Sequence, residues 1–140
     1  MALNAEDRVT ITDLIALHGH LIDAGELLRL DELFTADIVY DVTDLGGAAI
    51  EGLDGIRRAA HALGAGNPVA HHVTNIVLTP ISDTEVTARS KGLGINVDGT
   101  CGSVTYEDTV VTTDDGWRIS HRKVHARRVP LDGVWARDVS

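Results

Sequence analysis

The 140-residue chain has a balance of 44% hydrophobic and 24% charged residues that is ordinary for a globular protein. Its net charge of -9 argues against functions that need a basic face, such as binding to nucleic acids or anionic membranes. The lone Cys101 forms no internal disulfide. The sequence has no apolar run near the ~18 residues of a membrane span and no signal-peptide pattern. We therefore expect one cytoplasmic domain over residues 1–140.

The first 63 residues predict three helices and one strand. Apolar residues recur close to the helical period of 3.6 in the first helix, Asn4 is a suitable N-cap and Gly25 ends the helix. The elements are helices at Ala5 to about Ala24, Leu27 to Phe34 and Gly52 to about Leu63, and a strand at Asp37–Val42. Four residues are spaced to bury one face of the third helix: Ile56, Ala59, Ala60 and Leu63.

The rest of the chain predicts long strands separated by turns. The strands are Val69–Leu78, Glu85–Val97, Cys101–Thr113 and Trp117–Val129. Asp98-Gly99 is a strong hairpin signal, and Gly92 and Gly94 indicate a bulge or bend within a strand. Helices followed by antiparallel strands predict an α+β fold in which the helices cover one face of the sheet. A curved sheet wrapped around the N-terminal helices would form a cone with an internal pocket.

Two adjacent histidines, His71 and His72, interrupt the otherwise apolar run Val69–Leu78. Neutral imidazole is well suited to moving protons near pH 7. Adjacent strand residues point to opposite faces, so only one of the two can face a given cavity. The pattern of the residues alone leaves open which one does.

The segment from His121 to Arg128 is the local basic cluster of the chain. Its charged residues alternate with apolar ones, which predicts a strand with one solvated face. His121 and His125 share a face of that strand and could reach a pocket or an interface, although a solvated face is the default.

Several short motifs occur in an order that resembles the nuclear transport factor 2-like superfamily, in particular its SnoaL-like branch. The similarity runs from about Glu6 to about Arg128. The motifs are Asp23-Ala-Gly-Glu, Leu33-Phe34, Ala36-Asp37, His71-x-x-x-Asn75, Tyr106-x-Asp108 and Asp115-Gly-Trp-Arg-Ile119. The resemblance implies a cone-shaped α+β barrel with an internal pocket and a homodimer or higher homo-oligomer formed through the sheet.

The resemblance also implies a catalytic pair. Asp23 and His71 match the Asp–His dyad of scytalone dehydratase and of hexachlorocyclohexane dehydrochlorinase, which selects His71 over His72. Tyr40 and Tyr106 match positions that line the pocket in relatives. His18 stands where ketosteroid isomerase relatives carry a catalytic tyrosine. These three are therefore candidate substrate-binding residues.

Such a dyad predicts a lyase or isomerase that needs no cofactor. The resemblance implies that its substrate is small and hydrophobic, polyketide- or steroid-like. The alternative is a binding or assembly module of the same fold without catalysis. Each residue also has a structural alternative. His71 could be a satisfied histidine, Asp23 a helix-terminal acid, His18 a packed residue of the helix, and Tyr40 and Tyr106 core aromatics. No spacing typical of a metal site occurs, so we expect no metal.

Overall fold

The structure, a computed structural model, describes residues 3–137; residues 1–2 and 138–140 of the predicted domain lie outside the described part. The helices are α1 (Ala5–Asp23), α2 (Gly52–Leu63) and the short α3 (Val134–Arg137). The strands are β1 (Phe34–Asp41), β2 (Ile50–Glu51), β3 (Ala70–Ser82), β4 (Glu85–Ile95), β5 (Cys101–Thr113) and β6 (Gly116–Ala126). Of the helices in residues 3–137, none has the length and apolarity needed to cross a bilayer.

The strands form one six-stranded sheet in the order β2-β1-β6-β5-β4-β3, against which the helices pack. The predicted α+β class with a curved sheet around the N-terminal helices is confirmed. The sheet is unclosed, because β2 and β3 lie at its two edges and do not pair with each other. One pair departs from the predicted antiparallel pattern, since β1 runs parallel to β6.

Helix α1 begins and ends as its sequence predicts. The Asn4 side chain accepts a hydrogen bond of 2.7 Å from the Asp7 backbone N–H, which satisfies one of the donors left open at the helix start. Gly25 follows the helix with φ of 69°, a conformation that glycine adopts without steric cost. The buried face of α1 packs on β3, so the end of the helix lies beside the start of that strand.

The helix predicted to end at Phe34 ends earlier. A 3₁₀ helix spans Leu27–Glu32, and Phe34 already pairs with Ile119 as the first residue of β1. A contact between such distant parts of the chain overrides the local helical pattern. The bounds of α2 agree with the prediction, but Leu63 is 57% exposed and is not part of its buried face.

A bulge in β3 brings His71 and the apolar residues that follow it onto one face of the strand. Thr74 pairs with Lys91 while Val77 pairs with Arg89, so β3 holds one extra residue. Asn75 lies in this bulge with φ of 57°, a left-handed conformation that asparagine tolerates better than most residues. His71 before the bulge and apolar residues after it therefore share the inner face.

Gly92 and Gly94 do not form a bulge, one of the two predicted alternatives, because both pair in regular register with β3 and β5. A Cβ at Gly92 would collide with the ring of Tyr106, and one at Gly94 would touch Pro68. Gly92 therefore makes room for a large side chain from the neighbouring strand.

Candidate functional site

Asp23 and His71 are joined by two hydrogen bonds. His71 Nδ1 lies 2.7 Å from Asp23 Oδ1, and the His71 backbone N–H donates to Asp23 Oδ2 at 2.9 Å. The pair is partly buried, with side-chain exposures of 18% for His71 and 27% for Asp23. The last residue of α1 thus fixes both the ring and the main chain of a residue near the start of β3.

The geometry sets the tautomer of His71. An ionised carboxylate only accepts hydrogen bonds, so Nδ1 of the neutral ring carries the proton that is donated to Asp23. Nε2 then holds a free lone pair. A neutral ring of this tautomer can accept a proton at Nε2, and the carboxylate would stabilise the imidazolium so formed.

His71 lines a cavity of about 380 Å³ that opens to solvent. This volume lies within the range of small-molecule sites. Tyr40 and Tyr106 line the same cavity, and apolar residues such as Val104 and Val124 form much of the remaining wall. Three of the predicted site residues therefore meet at one surface.

His18 lies behind this wall and is only 3% exposed. Its ring centroid is 5.9 Å from that of His71, 6.4 Å from that of Tyr40 and 6.1 Å from that of Tyr106. Burial, together with the charges of Arg122 and His71, holds the pKa of His18 well below its ordinary value. A neutral His18 places no positive charge beside the dyad. His18 is not among the residues that line the cavity.

Tyr106 is 6% exposed and presents a phenol at the cavity. Burial and the neighbouring Tyr40 raise the pKa of Tyr106 above its ordinary value, although Arg122 opposes the shift. Tyr106 therefore keeps its proton throughout the physiological pH range, as a hydrogen-bond donor must.

A buried ion pair supports the two tyrosines. Arg122 Nε and Nη2 donate to the two carboxylate oxygens of Asp108 at 2.7 and 2.9 Å, and both side chains are fully buried. The Arg122 guanidinium carbon lies 4.3 Å from the ring centroid of Tyr106 and 5.7 Å from that of Tyr40. Burial disfavours the Arg122 charge, but Asp108 more than offsets this and raises the pKa of Arg122.

Sequence reasoning missed Arg122 and Asp108 as part of the site. Strand parity could have found them. Arg122 is in phase with the buried Val124, and Asp108 is in phase with the buried Tyr106 and Val110. Two opposite charges on the inner faces of neighbouring strands predict a buried ion pair.

The other histidines of the sheet face away from the cavity. His72 is exposed, as predicted from its opposite phase to His71. His121 is exposed, and Nε2 of His125 lies 3.4 Å from the Glu107 carboxylate on the outer face. Within residues 3–137, no cluster of three or more His, Cys, Asp or Glu side chains is arranged to hold a metal ion.

Comparisons with known proteins agree with this fold. A profile of the SnoaL-like domain matches residues 4–123. A protein from Novosphingobium aromaticivorans, NTF2-like with a cystatin-like fold, is 29% identical over 93% of this chain and 88% of its own, with a TM-score of 0.75. LinA is 22% identical over 90% of each chain, with a TM-score of 0.75. A second N. aromaticivorans protein, provisionally named a scytalone dehydratase, is 23% identical over 86% of this chain and 84% of its own, with a TM-score of 0.71. A search of curated protein sequences found no match.

Proposed function

The chain belongs to the SnoaL-like domain family, and we propose that it is a cofactor-independent lyase or isomerase that moves a proton on a small apolar substrate. The observation that carries the proposal is the 2.7 Å contact between Asp23 Oδ1 and His71 Nδ1, together with the position of His71 in the cavity wall. His71 Nε2 is the proposed general base and acid, and Asp23 positions the ring.

The first step of the proposed reaction is removal of a proton next to a carbonyl or leaving group. The proton passes from substrate carbon to His71 Nε2, and the electron pair stays on the substrate. Asp23 stabilises the resulting imidazolium. If the proton returns at another carbon, the reaction is an isomerisation; if a leaving group departs with its electron pair, it is an elimination.

The negative charge that develops on the substrate needs donors. Tyr40 and Tyr106 line the cavity and are the proposed donors, in the manner of an oxyanion hole. Arg122 lies behind both rings and holds them from below the cavity wall, with its charge balanced by Asp108. His18 is proposed to contribute by staying neutral behind His71, a change from the substrate contact expected from the sequence.

Two structural neighbours support the reaction class. LinA is a hexachlorocyclohexane dehydrochlorinase, and the other neighbour carries the name of a dehydratase. Both names describe eliminations, so elimination is the favoured form of the proposed activity.

A generic carbon acid tests the proposal without the natural substrate. 2-Tetralone is an apolar bicyclic ketone whose exchange of α-protons in D₂O can be followed by NMR. We expect the wild-type protein to accelerate this exchange, His71→Ala to abolish the acceleration, and Asp23→Asn to reduce it by about 10²–10⁴-fold. His72→Ala is the matched control and should exchange at the wild-type rate, since His72 faces outward.

The alternative is a ligand-binding module of the same fold. It is favoured by the open mouth of the cavity and by the partial exposure of the dyad. It predicts saturable binding of 2-tetralone with no accelerated exchange in any variant. Wild-type acceleration in His71→Ala would refute the dyad itself.

A further inference from the structure

The charges that line the cavity are unevenly distributed. Arg127 and Arg128 line its mouth, and no Asp or Glu is among the residues that line it. The chain as a whole carries a net charge of -9, so two adjacent cations at the mouth are not a consequence of composition. The mouth therefore presents positive charge to a molecule inside the cavity.

The nearby acids lie on the other side of the two arginines. Asp44 and Asp132 line a neighbouring surface cleft together with Arg127 and Arg128, but they do not line the cavity. Asp132 pairs with Arg127 at 3.0 Å, and Asp44 Oδ2 accepts the Ala126 backbone N–H at 2.7 Å. Arg127 is thus partly neutralised from outside.

Arg128 differs from Arg127 in its partners. Its Nη2 donates to the backbone carbonyl of Asp44 at 3.2 Å, and within residues 3–137 no carboxylate forms an ion pair with it. The Arg127 backbone N–H donates to the Ser103 carbonyl at 2.8 Å, which fixes the chain just before Arg128. The guanidinium is therefore anchored at the mouth by a neutral carbonyl, and its other N–H groups have no hydrogen-bond partner in the described part of the chain.

We infer that the substrate of this cavity is an apolar molecule that carries a carboxylate, held by Arg128 at the mouth while its apolar body reaches His71. A guanidinium presents paired N–H groups that match the two oxygens of a carboxylate. The apolar wall at Val104 and Val124 suits the body of such a molecule. This inference rests on the proposed function only in taking this cavity as the substrate site.

A matched pair of probes tests the inference through binding alone. 2-Naphthoate and 2-naphthamide share a planar apolar body and differ in charge. Isothermal titration should give wild-type binding of the naphthoate roughly two- to fivefold tighter than that of the naphthamide, as for an exposed charged contact. NOEs from naphthyl protons to the methyl groups of Val104 and Val124 should place the probe in the cavity.

Variants then assign the preference. Arg128→Gln should bring the two affinities close to equal, and Arg128→Lys should keep part of the preference because it keeps the charge. Arg58→Gln removes one positive charge from an exposed position on α2 and should leave the preference unchanged.

Three results would overturn the inference: equal wild-type affinities, a preference that survives Arg128→Gln, or no saturable binding of either probe at millimolar concentration. The outcome is separable from that of the proposed function. A preference for naphthoate without His71-dependent exchange of 2-tetralone would refute the enzyme and leave the carboxylate site standing. Exchange without the preference would do the reverse.

Discussion

Gly19 lies against the main-chain carbonyl of His71, so close that a Cβ at position 19 would collide with the His71 oxygen. This contact lets α1 approach β3 closely one turn before Asp23. The hydrogen bonds between Asp23 and His71 depend on that approach, because the carboxylate must reach both the ring and the backbone N–H.

Gly19→Ala should therefore damage both the fold and the dyad. Alanine gains about 1 kcal/mol of helix propensity, but overpacking against a backbone atom costs typically about 1–3 kcal/mol. We expect a net loss of stability in urea unfolding and a marked loss of 2-tetralone exchange. Gly66→Ala is the control, since its Cβ would meet only Leu63 at 3.8 Å. An unchanged stability and exchange rate in Gly19→Ala would show that the contact does not position the dyad.

Local signals in the sequence were sufficient for much of this arrangement. The cap at Asn4 and the bounds of α2 follow from residues near in the chain. The opposite phases of His71 and His72 follow from the two-residue period of a strand, whereas the choice of His71 as the inward residue came from the family resemblance. What local patterns could not give were contacts between distant segments. Phe34 joins β1 because it pairs with Ile119, which no helical periodicity around Phe34 could indicate.

The internal electrostatics were the other part that the sequence did not yield. Arg122 stands in a basic segment, which favoured a solvated face, and only its phase with Val124 pointed inward. The fully buried position of Arg122 becomes favourable through Asp108 on the neighbouring strand, a pairing that requires the register of β5 and β6. The surroundings of His18 also come from distant segments, since its ring lies close to those of Tyr40, His71 and Tyr106.

The Arg122–Asp108 pair should behave as one energetic unit. Removing one partner leaves a buried charge without its counterpart, which costs about 3–5 kcal/mol. We expect Arg122→Met and Asp108→Asn each to lose stability of that order, and the double variant to lose clearly less than the sum. Urea unfolding of the four proteins gives the coupling energy.

An exposed ion pair provides the comparison. Arg29 Nε lies 2.7 Å from Glu32 Oε2, and about half of each side chain is exposed. Glu32→Gln should cost far less stability than either buried substitution, because solvent screens such pairs. Additive losses for Arg122 and Asp108 would contradict a coupled buried pair.

His18 should make stability depend on pH. Its folded-state pKa is lowered, first by burial and then by Arg122 and His71, so the unfolded chain binds a proton that the folded chain does not. The stability contribution is complete above the unfolded value near 6.5 and falls as the pH drops below it, at up to about 1.4 kcal/mol per pH unit. Urea unfolding between pH 7.5 and 5 measures this slope.

Removal of the titrating group isolates its share of the slope. His18→Gln should flatten the decline below pH 6.5, whatever its effect on stability at pH 7.5. His20→Gln, at an exposed position of the same helix, should leave the slope as in the wild type. Equal slopes in all three proteins would mean that His18 takes up its proton in the folded state.

Gly92 is expected to be required by the ring of Tyr106 and by nothing else. A Cβ at position 92 would collide with Tyr106 Cε2, so Gly92→Ala should lose about 1–3 kcal/mol through overpacking. Gly102→Ala, whose Cβ would meet no atom within 4 Å, should be tolerated.

Tyr106→Phe keeps the colliding ring atom and should not relieve the defect, whereas Tyr106→Ala removes it. Urea unfolding should therefore show that Gly92→Ala costs less in a Tyr106→Ala background than in a Tyr106→Phe background. Equal costs in both would place the strain at the β4 backbone itself, and the glycine would then have no part in seating the phenol at the cavity.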